Sequence, residues 1–441
     1  MHAVETFARF ATGFARTPLP AEVAHHAQRA VIDWYASIYP GLDTPAVQVL
    51  TRTMADDLDR GAAQLVQGRA ATTRAAALIQ GTAAHAAEVD DSFRDAMYHP
   101  GAATIAAALA VAQSTGASGP EFLRAVVLGY EVSTRIGVVM GRPHYRYWHN
   151  TGTMGSFGAA AAAASLLKLD EAAFAHALAI AATFTAGLQQ AFRLEAMAKP
   201  LHAGRAAEAG VLAAQLAAGG MRSSLDVLEG ESGLGQAMSE GPDWSAVGAT
   251  LGTDFHITRL TFKNHIGCGH TFAAIDGALE LQRQHGFRHA DIEHLALGVY
   301  QPTLDIAPHV DPQNADQARF SLHYMVATAL LHGSVRLSAF EPDRLNDPAT
   351  RSLIQRIDKA LDPEVDAAFP GRRGARVSIT LCDGRQLTLL QPDRKGDPEL
   401  PLSDADLEGK LMELATPVIG EASAHALLGR IWQLHQSAQL P

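Results

Sequence analysis

Polar and titratable side chains interrupt an otherwise apolar sequence in a few short clusters, the first of which spans residues 85–101. His85, Glu88 and Ser92 lie three and four residues apart, so they would share one face if a helix continues through them. The two aspartates between Glu88 and Ser92 are typical of a helix end. The cluster also contains His99, and it offers imidazole, carboxylate and hydroxyl groups for ligand binding and proton transfer. A helix terminus with solvated acids is the alternative interpretation.

A second cluster, residues 144–152, directly precedes an alanine-rich segment that we expect to be helical. His149 or Thr151 would then lie at the N-terminus of that helix, where free backbone N–H groups favour an anion. An aromatic loop capped by Asn150 would explain the same residues without a ligand.

A third cluster, residues 197–207, places Lys199 in a long apolar neighbourhood. Pro200 can open a helix, which would put Lys199 at the helix start. The glycine and alanines nearby favour burial, and a desolvated lysine can hold a carboxylate. A solvent-exposed lysine at the start of a helix is the alternative.

Two further clusters lie in the C-terminal half, at residues 263–271 and 319–324. Cys268 and His270 are two residues apart, but no second cysteine lies nearby, so we expect no metal site. Sequence signatures of phosphate loops, dinucleotide-binding turns, zinc proteases and nucleophile elbows are also absent. Together the clusters supply imidazoles, lysines, arginines, a tyrosine and a glutamate. That inventory suits binding of a di- or tricarboxylate, and proton transfer near it, without an organic cofactor.

The composition narrows the class of protein. The chain has 441 residues, of which 47% are apolar and 18% are charged, and this excludes a disordered chain. A net charge of −11 argues against a nucleic-acid-binding surface. Two cysteines argue against a disulfide scaffold, and the sequence shows neither a secretory signal nor an apolar run of membrane-spanning length. We therefore expect a soluble cytoplasmic protein with no nucleic-acid or membrane partner.

The elements that must position these clusters are helical over more than half of the chain. Residues 1–257 carry apolar side chains at helical spacing, with a capping box formed by Ser118 and Glu121. Six consecutive alanines, Ala159 to Ala164, would allow very close helix-to-helix approach. This segment is therefore expected at the centre of a packed helical core.

The hydrophobic pattern changes near residue 257. Residues 257–262 alternate like a strand, and residues 294–300 form a second candidate. Two short alternating runs flank Asp383-Gly384, which is a strong hairpin signal.

These patterns predict a mainly α fold with a large all-helical domain and a smaller α+β domain. The predicted bounds are 1–257 for the first part of the helical domain, 258–399 for the α+β domain and 400–441 for C-terminal helices that return to the helical domain.

Five ordered blocks of the chain resemble the MmgE/PrpD family, which includes 2-methylcitrate dehydratase, cis-aconitate decarboxylase and iminodisuccinate epimerase. The blocks are residues 85–101, residues 129–137, the segment from His149 into the following helix, residues 199–204 and residues 321–324. The resemblance covers nearly the whole chain. It implies a helical domain with an α+β lid inserted before the final helices, a pocket between the two, and a homodimer.

The resemblance also implies site residues. The positions that match active-site positions of the family are Ser92, His99, His149, Lys199, His270 and Tyr324. Glu88 stands where the decarboxylases carry an aspartate, and the segment from Ser92 to His99 is one residue longer than theirs. The Asp-Asp-Ser-Phe sequence at residues 90–93 and the longer spacing look more like the epimerase branch, so decarboxylation is the least favoured of the three reactions.

We predict a cofactor-independent lyase, similar to a dehydratase, that removes a proton next to a carboxylate of a small di- or tricarboxylate. The predicted catalytic residues are His99, His149, His270 and Tyr324, and the predicted substrate-binding residues are Glu88, Ser92, Lys199 and His202. An epimerase of an iminodisuccinate-like dicarboxylate shares the first step and is the alternative. A non-catalytic helical binding protein is a second alternative, but such a protein would tend to lose Lys199 or several histidines.

Overall fold

The computed structural model of the chain describes residues 1–192 and 196–441. Over these ranges the chain divides into two compact units, one formed by residues 1–261 with 403–441 and the other by residues 262–402. The first unit is built from helices, and the second combines helices with a four-stranded sheet. The mainly α fold class with a smaller α+β part is therefore confirmed. Among the described residues, no helix combines the length and apolar character needed to cross a lipid bilayer.

Helices α1 to α10 form the N-terminal part of the first unit. They are Ala3–Phe14 (α1), Ala21–Leu42 (α2), Pro45–Thr53 (α3), Thr73–Ala86 (α4), Pro100–Thr115 (α5), Gly119–Tyr145 (α6), Asn150–Leu166 (α7), Glu171–Ala182 (α8), Ala198–Ala218 (α9) and Leu234–Met238 (α10). A short antiparallel ribbon, Leu58–Gln64 (β1) with Ala70–Ala71 (β2), lies between α3 and α4 in the chain.

Small residues let the central helices of the first unit approach closely. All six alanines from Ala159 to Ala164 in α7 are fully buried. A side chain at Gly204 of α9 would collide with the Leu78 carbonyl oxygen of α4, and one at Gly210 of α9 would collide with Ala159. Larger residues would overpack these contacts, so the small residues allow α4, α7 and α9 to pack at short distances. The close packing also brings the side chains at the ends of these helices near one another.

Two predicted helix starts are confirmed. The Glu121 carboxylate accepts the backbone N–H of Ser118 at 2.8 Å, and the Ser118 hydroxyl accepts the backbone N–H of Glu121, which completes the capping box of α6. His149 is the N-cap residue of α7, directly before the alanine-rich helix.

The second unit places helices against a mixed sheet. Its helices are Phe272–His285 (α11), Gln301–Ile306 (α12), Ala315–Arg319 (α13), Leu322–His332 (α14), Pro342–Leu345 (α15), Pro348–Ile354 (α16) and Pro363–Ala368 (α17). Its strands are Ile292–Val299 (β3), Ile357–Leu361 (β4), Ala375–Leu381 (β5) and Gln386–Gln391 (β6), in the order β4-β3-β5-β6. Strand β3 is parallel to β4 and antiparallel to β5. The predicted hairpin is confirmed as β5 and β6, with Gly384 at a φ of 87° in the turn.

The prediction of a strand at residues 257–262 was wrong. His256–Arg259 form a 3₁₀ turn, after which Thr261 makes an isolated bridge with Ser92. The buried Glu131 carboxylate of α6 accepts the backbone N–H of His256 at 2.6 Å. This side-chain contact holds the turn, whereas a strand would have been held by backbone hydrogen bonds to a neighbouring strand.

Two C-terminal helices, Asp404–Ile419 (α18) and Glu421–Trp432 (α19), belong to the first unit. The buried ammonium group of Lys410 in α18 donates to Asp33 Oδ1 of α2 and to the carbonyl oxygen of Val89, both at 2.6 Å. Val89 lies in the loop that follows α4. This loop contains the first cluster of polar residues, so α18 holds that loop by a charged contact.

Candidate active site

Four histidines from separate parts of the first unit meet at the ends of its central helices. His85 lies in the last turn of α4, His99 and His149 are the N-cap residues of α5 and α7, and His202 lies in the first turns of α9. The ring centroid of His85 is 4.9 Å from that of His99 and 5.5 Å from that of His149, and His149 is 5.2 Å from His202. We refer to these four side chains as the imidazole cluster.

The chain does not continue as a helix beyond the end of α4. Helix α4 ends at Ala86, and Glu88 has a φ of 61°, so the chain turns sharply there. The condition for a shared helical face of His85, Glu88 and Ser92 is therefore not met. Ser92 instead pairs with Thr261 through its backbone N–H and carbonyl oxygen, at 2.9 and 2.8 Å.

Asp90 lies between two histidines of the cluster. Its Oδ2 atom is 2.8 Å from His85 Nδ1 and 3.5 Å from His99 Nδ1. The Nδ1–H group of His99 donates to the carbonyl oxygen of Asp91 at 2.6 Å. Carbonyl and carboxylate oxygens only accept hydrogen bonds, so in its neutral form each of the two rings carries the proton on Nδ1 and presents an unprotonated Nε2 atom.

His149 and His202 form the other half of the cluster. Their Nδ1 atoms are 3.0 Å apart, so one neutral ring donates to the other. Burial, and then the nearby His85 and Lys199, hold the pKa of His149 well below its ordinary value. Burial and the same two neighbours lower the pKa of His202. Both rings are therefore uncharged at neutral pH.

Lys199 supplies the positive charge of the site. It lies in the first turn of α9 and forms an ion pair with Glu88, while its Nζ atom lies 5.2 Å from the centroid of the Phe192 ring. Burial alone would lower the pKa of Lys199, but the Glu88 carboxylate outweighs it and raises that pKa. The side chain keeps 22% of its surface exposed, so a cation is accessible next to the imidazole cluster.

The buried Asp91 carboxyl group links the loop after α4 to helices α5 and α6. Tyr130 Oη donates to Asp91 Oδ2 at 2.7 Å, and the backbone N–H of Gly101 donates to Asp91 Oδ1 at 3.0 Å. Burial and the nearby Asp33 raise the pKa of Asp91 to about 8. Asp91 is thus mostly uncharged at neutral pH and fixes the start of α5, which carries His99.

A cleft of about 470 Å³ reaches the cluster at His202. Its lining residues are Ala186, Gly187, Leu188, Gln190, Ala191, His202 and Arg205. The cleft is large enough for a small polycarboxylate, and it leads to the His149–His202 pair.

The two predicted residues of the second unit lie in well-packed surroundings within that unit. His270 Nδ1 is 2.7 Å from Tyr300 Oη, and burial, followed by Arg373 and Arg394, lowers the pKa of His270 to about 3. Tyr324, in the first turn of α14, is fully buried and donates its hydroxyl to the carbonyl oxygen of Ala339. Their role in catalysis stays a prediction.

The sequence prediction omitted two members of the site, His85 and Asp90. His85 belongs to the first cluster, but its spacing alone assigns it no role, and the sequence around Asp90 is typical of a helix end. The sequence signal for this contact is the spacing of five residues between His85 and the first residue of the Asp90-Asp91 pair. A tight turn between them permits contact between the carboxylate and the imidazole. His85, Asp90 and His99 are also close enough together to ligate a metal ion. The contacts described above engage Nδ1 of both histidines and Oδ2 of Asp90.

Comparison with known proteins gives matches along nearly the whole chain. The sequence profile of the MmgE/PrpD N-terminal domain matches residues 5–247, and that of the MmgE/PrpD C-terminal domain matches residues 265–434. The cis-aconitate decarboxylase-like protein oryM of Aspergillus oryzae is 28% identical over 449 residues, which cover 96% of this chain and 92% of that protein.

Two mammalian proteins are similar as well. Human cis-aconitate decarboxylase is 27% identical over 365 residues, covering 80% of this chain and 75% of the human protein. Mouse cis-aconitate decarboxylase is 28% identical over 372 residues, covering 80% and 74%. Because the two domain profiles together match most of the chain in the expected order, the chain belongs to the MmgE/PrpD family.

Proposed function

We propose that this protein is a lyase that acts on a small tricarboxylate, without a cofactor, through proton transfer at a carbon next to a carboxylate. Family membership and the decarboxylase relatives make it an enzyme of the lyase type. The observation that carries the proposal is the accessible Lys199 cation beside an imidazole cluster in which His99 presents an unprotonated Nε2 atom. A cation can anchor the substrate carboxylate, and an unprotonated ring nitrogen can accept a proton.

The leading reaction is dehydration. Lys199 binds one carboxylate of the substrate, with His202 next to it. His99 Nε2 accepts the proton from the carbon beside a carboxylate, and the C–H electron pair forms the new C=C bond. The hydroxyl group leaves from the neighbouring carbon with the C–O electron pair and takes up a proton from solvent to form water, and His99 then returns its own proton to solvent. Because His149 is uncharged, it serves as an acceptor or a neutral hydrogen-bond partner.

Decarboxylation is the second candidate, and the printed names of the relatives favour it. In that reaction the electron pair of the broken C–C bond is passed into the substrate skeleton and a substrate carbon receives a proton as carbon dioxide leaves, so the proton moves toward the substrate. Epimerisation of a dicarboxylate would require removal and return of a proton on opposite faces of one carbon. All three reactions use the same cation and proton-transfer groups, which is why the products must be measured.

The test is incubation in deuterated water with a panel of 2-methylcitrate, citrate, cis-aconitate and iminodisuccinate, followed by mass and chiral analysis. Loss of water supports the dehydratase, and loss of carbon dioxide with one deuterium incorporated on carbon of the product supports the decarboxylase. Inversion with deuterium uptake and no other mass change supports the epimerase. If the protein neither alters nor labels any of the four compounds, the proposed chemistry is wrong for these substrates.

The proposal extends to two predictions from the family resemblance. We propose His270 and Tyr324 as catalytic residues. The substitutions His270→Gln and Tyr324→Phe test this role, and each should lower kcat.

We also propose a homodimer. Exposed apolar side chains near the cleft, such as Tyr147 at 59%, Leu188 at 54% and Met197 at 55%, give a surface that a second copy could cover. Light scattering on the purified protein measures the oligomeric state.

A further inference from the structure

The Asp90 carboxylate contacts two imidazoles of the cluster at once. Its Oδ2 atom lies 2.8 Å from His85 Nδ1 and 3.5 Å from His99 Nδ1. His85 and Asp90 are buried, whereas the side chain of His99 keeps 19% of its surface exposed. Of these two histidines, a substrate can therefore reach His99, whereas His85 is enclosed by other protein groups.

The two histidines relate to Asp90 differently. The His85 ring is at normal hydrogen-bond distance, so its Nδ1–H group holds one carboxylate oxygen in a fixed position. His99 gives its Nδ1–H to the Asp91 carbonyl oxygen, and Asp90 faces the same edge of the ring from 3.5 Å. An anion at that distance acts on the charge of the His99 ring, because it favours the protonated form.

The other titratable groups described near His99 differ in the charge that they offer to an imidazolium. Asp91 has a pKa raised to about 8, so it is mostly uncharged at neutral pH. His149 of α7 and His85 of α4 can only add positive charge. Lys199 of α9 is a cation that interacts with Asp90. Asp90 is thus an anion next to the His99 ring that can balance a newly formed imidazolium.

We propose that Asp90, held by His85, is a positioning residue that stabilises the imidazolium of His99 when its Nε2 atom takes a proton from the substrate carbon. The inference rests on the proposed function. In the decarboxylation direction, the same carboxylate keeps His99 protonated until the proton is delivered to carbon. The His85–Asp90–His99 group therefore sets the pH range in which the proton transfer operates.

The test compares Asp90→Asn, His85→Gln and a control on the same loop, Asp95→Asn, whose side chain is 53% exposed. Asn keeps the size of Asp90 but removes its charge. We expect Asp90→Asn to lower kcat about 100-fold, with tricarboxylate affinity by calorimetry changed less than fivefold. We expect His85→Gln to lower kcat less, because Asp90 keeps its charge, and Asp95→Asn to match the parent protein.

A second readout does not need turnover. Titration of ¹⁵N-histidine-labelled protein by NMR, with the His99 signals identified by their loss in His99→Gln, reports the protonation of this ring. Asp90→Asn should move the His99 transition to lower pH by about one unit or more, and the acid limb of kcat/KM should move in the same direction.

Two results would contradict the proposed role of Asp90. An unchanged His99 titration in Asp90→Asn overturns the inference, even if activity falls, because Asp90 would then have a structural role only. A metal ion bound stoichiometrically by the parent protein and lost in Asp90→Asn overturns it as well, since the group would be a set of ligands. If the parent protein acts on none of the four panel compounds, the proposed function fails, and the NMR titration still decides whether Asp90 controls His99.

Discussion

Lys199 and Glu88 form an ion pair across 111 residues of sequence, at the point where α9 begins and the loop after α4 turns. Glu88 reaches the lysine from a backbone position with positive φ. The pair brings a carboxylate of the protein to the cation that we propose for the substrate. A substrate carboxylate must therefore share Lys199 with Glu88 or replace it.

Removing the cation tests the anchor directly. Lys199→Met keeps the length of the side chain but loses a charge-assisted contact worth about 1.5–3 kcal/mol. We expect tricarboxylate binding, measured by calorimetry, to weaken about 10- to 100-fold, while the unfolding temperature changes little. Lys168→Met is the matched control, because that lysine is 77% exposed and lies in a surface ion pair. Equal affinity in the two variants would contradict the assignment of Lys199.

Neutralising Glu88 should change the affinity for a tricarboxylate in a defined direction. If Glu88 competes with substrate for Lys199, Glu88→Gln should strengthen tricarboxylate binding about three- to tenfold, which corresponds to about 0.7–1.4 kcal/mol. Glu231→Gln, at an exposed position, serves as the control in the same binding assay. Weaker binding by Glu88→Gln would instead mean that Glu88 itself contacts the substrate, as the sequence predicts.

Asp91 makes stability depend on pH. Its folded-state pKa of about 8 lies above the ordinary value of 3.8, so the folded protein binds more protons than the unfolded chain between these values. The contribution of this group to stability is fully present below about pH 4 and is lost as pH rises toward 8, at up to about 1.4 kcal/mol per pH unit. Asp91→Asn mimics the uncharged acid. In urea unfolding, the difference in stability between Asp91→Asn and the parent protein should therefore shift in favour of the variant as pH rises from 6 to 9. A difference that is constant across this range would show that the carboxyl is already ionised.

The Lys410–Asp33 pair predicts a large stability effect. Lys410→Met removes the ammonium group that faces the buried Asp33 carboxylate, and breaking a buried ion pair in this way costs about 3–5 kcal/mol. The double variant Lys410→Met with Asp33→Asn removes both charges and should recover at least half of that loss in urea unfolding. Equal losses in the single and double variants would show that the pair is not the source of the stability.

Local signals in the sequence predict part of the site. His149 at the start of α7 and Lys199 at the start of α9 follow from helix-capping patterns and a proline, which act within a few residues. Glu88 was predicted as a site residue, but its turn was not, because positive φ at a non-glycine residue leaves no mark on hydrophobic periodicity. The Glu131 carboxylate that turns residues 256–259 lies 125 positions away from its partner, and no local pattern reports such a contact.

The contact between Lys410 and the loop of Glu88 also bears on how the protein is made. Asp33 and Lys410 are 377 residues apart, and a ribosome that adds about 5–20 residues per second needs about 20–75 s to produce the stretch between them. The α+β unit emerges in that interval. The nascent chain therefore holds Asp33 and the loop after α4 without the Lys410 ammonium group until residue 410 has been made, so the contact of this group with the Val89 carbonyl oxygen forms late in synthesis. A nascent chain stalled before residue 410 would lack it.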